Sequence, residues 1–154
     1  MSVEFDDTEW ASQSVDGSTL ATVAQTIAGM TEAGKTEWFP SYVTSTTADV
    51  VSDATVTVKT KVTLPQWSSY GSASQSEQTE WDRFCGALRA HEQGHLDLVT
   101  QQLSDVDQQM IGQSSAGADS AWKSSLAALT SASDTYDTST DHGRNQGTII
   151  NVSP

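Results

Sequence analysis

The residues best suited to chemistry lie in the segment His91–His95, which reads HEQGH and so has the form H-E-x-x-H. On a helix, residues four apart lie almost above one another, so both imidazoles would project from one face and share a metal ion. Zinc in such a site lowers the pKa of a water molecule to roughly 7. Glu92 follows the first histidine, so its carboxylate can take a proton from that water and deliver it to a leaving group. The motif predicts a zinc-dependent hydrolase.

A zinc centre of this kind needs a third protein ligand, and the sequence offers few. No glutamate follows Glu92, and Leu and Gln stand at positions 98 and 101, where the extended metzincin motif requires Gly and His. The remaining histidine, His142, precedes a glycine and is therefore the first candidate. Asp137 or Asp141 would instead give a site of two histidines and one aspartate. A fourth position open to water would mark the site as catalytic.

A long helix must position the motif. Its cap is predicted at Ser76 or Thr79, and its apolar stripe passes through the two motif histidines and Glu92, which predicts that they are packed inside the domain. The apolar positions of the stripe are Trp81, Phe84, Cys85, Leu88, Leu98, Val99, Leu103, Val106 and Met110. Glycines at 112 and 117 mark a break, and a second helix is predicted over about residues 118–133.

The N-terminal half is predicted to form a sheet. The segment 54–64 alternates cleanly between apolar and polar residues, which is typical of an antiparallel strand with one buried face. Other expected elements are one or two short strands in 3–14, a helix capped by Ser18 or Thr19, a strand at 37–43 and a last strand at 148–152. We therefore expect a single α+β domain over residues 1–154, in which an antiparallel sheet packs on the long active-site helix.

Four further residues could assist this chemistry or serve the fold. Tyr136 could donate a hydrogen bond to the oxyanion of peptide hydrolysis, or be a core aromatic residue. Arg144 could bind the oxyanion or a substrate carboxylate, or pair with a nearby aspartate. Asp97 could orient a histidine, but an ideal helix turns it away from His95 and towards solvent. Cys85 lies on the apolar stripe and is predicted to be a buried structural thiol.

Composition excludes several classes of function. The 154 residues carry a formal net charge of −13, which disfavours nucleic acid and anionic membranes as partners. No apolar run is long enough to span a bilayer, and a single cysteine excludes an internal disulfide. The acidic, Ser- and Thr-rich composition suits a secreted protein or a high-salt environment. No signal peptide is visible, so the chain is expected either to stay inside the cell or to be a mature form.

Several segments together resemble a known family. They are Trp81–Phe84 (WDRF), the HEQGH motif, Tyr136–Gly147 (YDTSTDHGRNQG) and Pro65–Trp67 (PQW) after a strand. They are similar to a bacterial family predicted to be secreted zinc-dependent proteases (domain of unknown function 922), and the likeness covers most of the chain. The resemblance implies a zincin-like metallopeptidase with His91, His95 and His142 on zinc and Glu92 as the base.

Two other functions compete with a peptidase acting on a peptide or protein substrate. One is a metal-binding structural or assembly protein with little activity, such as a component of an extracellular or viral particle. The intact Glu92 argues against it, because a purely structural metal site needs no base. The other is a zinc hydrolase that cleaves a non-peptide amide, for instance in a cell wall.

Overall fold

The computed structural model describes residues 2–154, which form one sheet and a set of helices. The strands are β1 (Ser2–Phe5), β2 (Glu9–Val15), β3 (Lys35–Thr47) and β4 (Val50–Trp67). The helices are α1 (Leu20–Ala28), α2 (Gln75–Leu103), α3 (Val106–Met110) and α4 (Ser115–Thr140). Short 3-10 turns cover Tyr70–Ser72 and Arg144–Gln146. The mixed α and β content agrees with the prediction.

Strand β4 is the centre of the sheet. Its alternation buries Ala54, Val56, Val58 and Val62 on one face, as the sequence predicted. Strands β3 and β4 form an antiparallel hairpin whose turn holds Ala48 and Asp49 at positive φ, as a two-residue hairpin turn requires. On its other edge β3 has no partner strand among residues 2–154.

The predicted antiparallel sheet is wrong, because the sheet is mixed. Strands β1 and β2 both run parallel to β4, paired with residues 55–58 and 61–67. Both occupy the edge of β4 opposite β3, since β3 already pairs with residues 50–63. Alternation shows which face of a strand is buried and carries no information on strand direction. Here α1 and β3 separate β2 from β4, and that connection is long enough for a parallel pairing.

The strand predicted at 148–152 does not form. Side chains of α2 bind its backbone instead: Arg83 donates to the carbonyl oxygens of Gly147 and Ile149, at 2.9 and 2.6 Å. The amide of Asn151 donates to Oε1 of Glu80 at 2.6 Å. The C-terminal segment therefore lies against α2, the helix that carries the HEQGH motif, and not in the sheet.

The helices differ from the prediction mainly at their ends. Thr19 caps α1 as expected, whereas α2 begins after Ser74, whose side chain and that of Glu77 form a capping box. The apolar stripe that was predicted to run along one helix as far as Met110 is divided between α2 and α3. Helix α4 continues about two turns beyond the predicted end at residue 133. Hydroxyls of Thr135, Thr138 and Thr140 bond to the carbonyls four residues earlier in these turns.

Two apolar clusters hold α2 on either side of the HEQGH motif. The first packs Leu88 and Phe84 of α2 with Trp67, Trp81 and α1. The second packs Val99 and Leu103 with β4, α3 and α4. The part of α2 that carries the HEQGH motif is thus fixed by close-packed side chains before and after it. Within residues 2–154, no helix has both the length and the apolar composition needed to cross a membrane.

Candidate metal centre

Three side chains converge on one point between α2 and α4. Nε2 of His91 and Nε2 of His95 lie 3.2 and 3.0 Å from the same atom, Oδ1 of Asp137. Both histidines are buried, with 4% and 7% of their surface exposed. A tetrahedral zinc site with ligands at 2.0–2.2 Å separates its ligand atoms by about 3.3 Å. The ligand atoms of the three residues lie within 4.8 Å of one another, so the group could hold a metal ion.

The second ring nitrogen of each histidine also has a partner. Oε1 of Gln146 lies 2.7 Å from Nδ1 of His91, and Oγ of Ser133 lies 2.9 Å from Nδ1 of His95. An amide oxygen only accepts hydrogen bonds, so Nδ1 of His91 carries a proton, and Nε2 is the nitrogen that would bind a metal. Metal-binding histidines in proteins are commonly oriented by such outer contacts. The donor set and its outer contacts both fit a transition metal.

The extension of α4 is what brings Asp137 to the site. Ser133 and Asp137 are four residues apart on α4, so they lie on one face of the helix. Both nitrogens of His95 meet this face, Nδ1 at Ser133 and Nε2 at Asp137. A helix ending at residue 133 would have left Asp137 in a loop.

Glu92 lies beside the donor group and is not one of its members. Only 3% of its surface is exposed, and Oγ1 of Thr36 donates to its Oε2 at 2.7 Å. Gly34 packs against the same carboxylate, because a Cβ there would lie 2.6 Å from Oε1. Burial raises the pKa of the Glu92 carboxyl, while the Thr36 hydrogen bond and the two histidines oppose the rise. A buried carboxylate with a raised pKa is suited to accept a proton.

Tyr136 supports the histidines from the side. Its ring stacks on that of His91, with centroids 5.0 Å apart and planes at 14°, and meets His95 edge-on. Its hydroxyl donates to the carbonyl oxygen of His91 at 3.3 Å and accepts from Nε2 of Gln146 at 3.0 Å. Tyr136 is not among the described residues that line the cavity at Glu92. The structure therefore places it as a support for His91, and its predicted oxyanion role remains a prediction.

The turn after α4 brings two further predicted residues to the cavity. Asp141, His142 and Gly143 have φ of 51°, 51° and 82°, three consecutive left-handed residues. Only Gly adopts this conformation without strain. His142 is exposed and lines the cavity, but it is outside the group formed with Asp137. Arg144 lines the cavity as well, and within residues 2–154 its side chain has no ion pair.

The cavity has a volume of about 600 Å³ and two kinds of wall. The metal-ligand candidates, Glu92 and Arg144 form the polar wall. The apolar part of the lining includes Ile27, Met30, Phe84, Leu88, Ile149 and Ile150. The start of β3, with Lys35, Thr36 and Trp38, runs along the cavity. A substrate in the cavity would contact the polar and apolar parts of the lining and the start of β3.

Three residues of the site were not predicted to have a role: Gln146, Ser133 and Thr36. Gln146 and Ser133 are hydrogen-bond partners brought in by the tertiary fold, and no local sequence pattern marks them. Asp97 is exposed and accepts from Nε2 of Gln93 at 3.0 Å, away from the metal group as expected. Cys85 is partly buried, and burial raises its pKa to about 11, which suits a structural thiol.

Comparison with known protein families gives a match. A family described as "Bacterial protein of unknown function (DUF922)" matches residues 10–143, which contain the donor group, Glu92 and Tyr136. Neither the curated proteins nor the solved structures contain a match to the chain.

Proposed function

The chain belongs to the DUF922 family of bacterial proteins, and from this premise and the site geometry we propose that it is a zinc-dependent metallopeptidase. The observation that carries the proposal is the convergence of His91, His95 and Asp137 beside a buried, non-ligating Glu92. A structural metal site is normally closed by four protein ligands and has no use for a base. Three ligands with an adjacent carboxylate are the arrangement of a catalytic site.

Zinc held by His91, His95 and Asp137 would supply a Lewis acid that lowers the pKa of water to about 7 and polarises a carbonyl group. The chain's own residues then manage the proton. Glu92 accepts a proton from the attacking water and delivers it to the leaving nitrogen. Thr36 holds Oε2 of Glu92 through its hydroxyl, which fixes the carboxylate for both transfers.

Arg144 is the residue we propose to stabilise the developing oxyanion. It lines the cavity with the donor group, and its guanidinium has no ion pair within the described chain. A cation aimed at the oxygen on which charge develops stabilises the transition state more than the ground state. Tyr136 is less well placed for this role because its hydroxyl is bonded to Gln146 and packed against Gly94.

A peptide suits this cavity better than a small substrate. The start of β3 lines the cavity with Glu92, and the outer edge of β3 has no partner strand within residues 2–154, so an extended peptide can pair with this edge as an added strand. The apolar part of the cavity lining would then take an apolar side chain of the substrate. We propose a peptide or protein substrate bound in extended form along β3.

The test is cleavage of a broad peptide library by the wild-type protein and by Glu92→Gln at equal zinc occupancy. Glutamine keeps the shape of the side chain but not its basicity, so we expect a loss of about 10²–10⁴-fold in kcat. Glu4→Gln is the matched control, because Glu4 is an exposed residue of β1 and does not line the cavity. Equal cleavage by Glu92→Gln and wild type would exclude the mechanism. A zinc-loaded wild-type protein that cuts no peptide would favour an assembly role or a non-peptide amide.

A further inference from the structure

We propose that Arg83 is a positioning residue that fixes the orientation of His91 through the C-terminal segment, residues 144–151. The purpose of that orientation, metal binding for hydrolysis, rests on the proposed function. The contacts themselves do not, because they are made between residues of the protein alone. Arg83 lies on α2, two turns before His91, and touches neither the donor group nor Glu92.

Arg83 and Glu80 form a clamp on the C-terminal segment. The guanidinium makes two bonds to the Glu80 carboxylate, at 2.8 and 2.7 Å. It also donates to the carbonyl oxygens of Gly147 and Ile149, and Glu80 accepts from the amide of Asn151. Glu80 is buried, and the Arg83 hydrogen bonds keep its pKa below the ordinary value, so it stays charged. Together the two side chains bind three backbone groups of the segment.

The clamped segment carries the partner of His91. Gln146 directly precedes Gly147, whose carbonyl oxygen Arg83 binds, and its Oε1 lies 2.7 Å from Nδ1 of His91. The segment has no strand partner within residues 2–154, and its backbone bonds to α2 are those made by Arg83 and Glu80. Arg83 therefore acts on His91 indirectly: it holds the backbone at Gly147, next to Gln146, and Gln146 contacts His91.

The contact between Arg83 and residue 147 favours glycine at that position. Its φ is +94°, and a Cβ on it would lie 3.2 Å from Nη1 of Arg83. A side chain there would both strain the backbone and press on the guanidinium. The sequence segments WDRF and YDTSTDHGRNQG are far apart in the chain, and the bond between Arg83 and Gly147 joins them.

The first test is nitrogen-15 NMR of His91 in the metal-free protein. In the wild type we expect a protonated Nδ1 that is hydrogen-bonded to Gln146, and in Arg83→Met a shift of the Nδ1 signal because that hydrogen bond is lost. Arg89→Met is the matched control, because Arg89 lies on the same helix but stacks on Trp10. A Cβ on Gly147 would press on the guanidinium of Arg83, so Gly147→Ala should give the same shift and serves if Arg83→Met fails to fold. An unchanged His91 signal in both variants would overturn the proposal.

The second test is a double-mutant cycle on zinc affinity with Arg83→Met and Gln146→Ala. Loss of an outer partner of a ligating histidine typically costs ~10–100-fold in metal affinity, so we expect each single variant to fall in that range. If Arg83 acts through Gln146, the double variant should bind about as well as Gln146→Ala alone. Losses that multiply would show that Arg83 acts independently of Gln146 and would refute the proposal. Neither test measures hydrolysis, so an inactive protein would refute the proposed function and leave this inference standing.

Discussion

Gly94 and Tyr136 fit together so closely that a Cβ on Gly94 would lie 2.5 Å from Cζ of the Tyr136 ring. Gly94 is the residue before His95 in the HEQGH motif, and the tyrosine ring that fills this space stacks on His91. The ring cannot easily retreat, because its hydroxyl is bonded to Gln146 and to the backbone of His91. Because Gly94 has no side chain, α4 can approach closely the face of α2 that carries His91 and His95.

Gly94→Ala should therefore destabilise the protein, although alanine is the better helix former. Gly86→Ala is the control, since Gly86 lies on the same helix and a Cβ there would have nothing within 4 Å. We expect Gly86→Ala to raise the free energy of unfolding by about 0.5–1 kcal/mol. Gly94→Ala should lower it by ~1–3 kcal/mol through overpacking. Denaturant unfolding measures both, and equal stabilisation by the two substitutions would contradict the close packing.

Zinc titration of variants can decide whether Asp137 or His142 is the third ligand of the proposed zinc site. Asp137 contacts both ligand histidines, whereas His142 is exposed in the same cavity, so Asp137→Asn should cost most of the zinc affinity and His142→Ala little. Asp134→Asn, an exposed cavity residue one turn earlier on α4, is the control for loss of charge. Competition titration with a chelator gives the affinities. The reverse order would establish the three-histidine site that the sequence first indicated.

Substitutions of Arg144 and Tyr136 should have different effects on kcat. With zinc saturating, Arg144→Met should lower kcat by ~10²–10³-fold, the usual effect of removing one oxyanion donor. Tyr136→Phe keeps the ring stacked on His91 and should change kcat far less, while it weakens zinc binding through Gln146. Steady-state kinetics at fixed zinc occupancy tests this, and a large kcat loss in Tyr136→Phe alone would return the oxyanion role to the tyrosine.

The Glu80–Arg83 pair should make stability depend on pH at the acidic end. Hydrogen bonds from Arg83 lower the pKa of Glu80 in the folded protein. A lowered carboxyl pKa stabilises the fold at pH values above the unfolded pKa, about 4.3, and this contribution is lost as pH falls through the folded pKa. The Tm of the wild type should therefore fall more steeply below about pH 5 than that of Glu80→Gln. Parallel Tm curves for the two proteins would contradict the assignment.

The sequence predicted the parts of the molecule that local patterns determine. The alternation in 54–64 marks the buried face of β4, and the HEQGH spacing places two histidines on one helix face; both appear in the structure. Such patterns reflect the repeat of a single element. They do not specify which element packs opposite, so the parallel pairing of β1 and β2 with β4 could not be predicted in this way.

Local sequence patterns also could not decide which residue, Asp137 or His142, joins the two histidines. Asp137 was an alternative to His142, and the choice depends on where α4 ends. Residues 134–140 are rich in Ser, Thr and Asp, which favour turns over helices in an isolated segment. The packing of Tyr136 on His91 and the contact of Asp137 with both histidines hold the segment against α2. Both depend on the folded protein, and Gln146 likewise reaches His91 only through the clamp on α2.

The central claim is that His91, His95 and Asp137 hold a catalytic zinc. The most direct measurement is anomalous X-ray diffraction at the zinc edge from crystals of natively purified protein. We expect one anomalous peak per chain, bound by Nε2 of both histidines and a carboxylate oxygen of Asp137, with the Glu92 carboxylate nearby and unbound. Absence of any metal at this point, or zinc at a site that excludes the two histidines, would contradict the account.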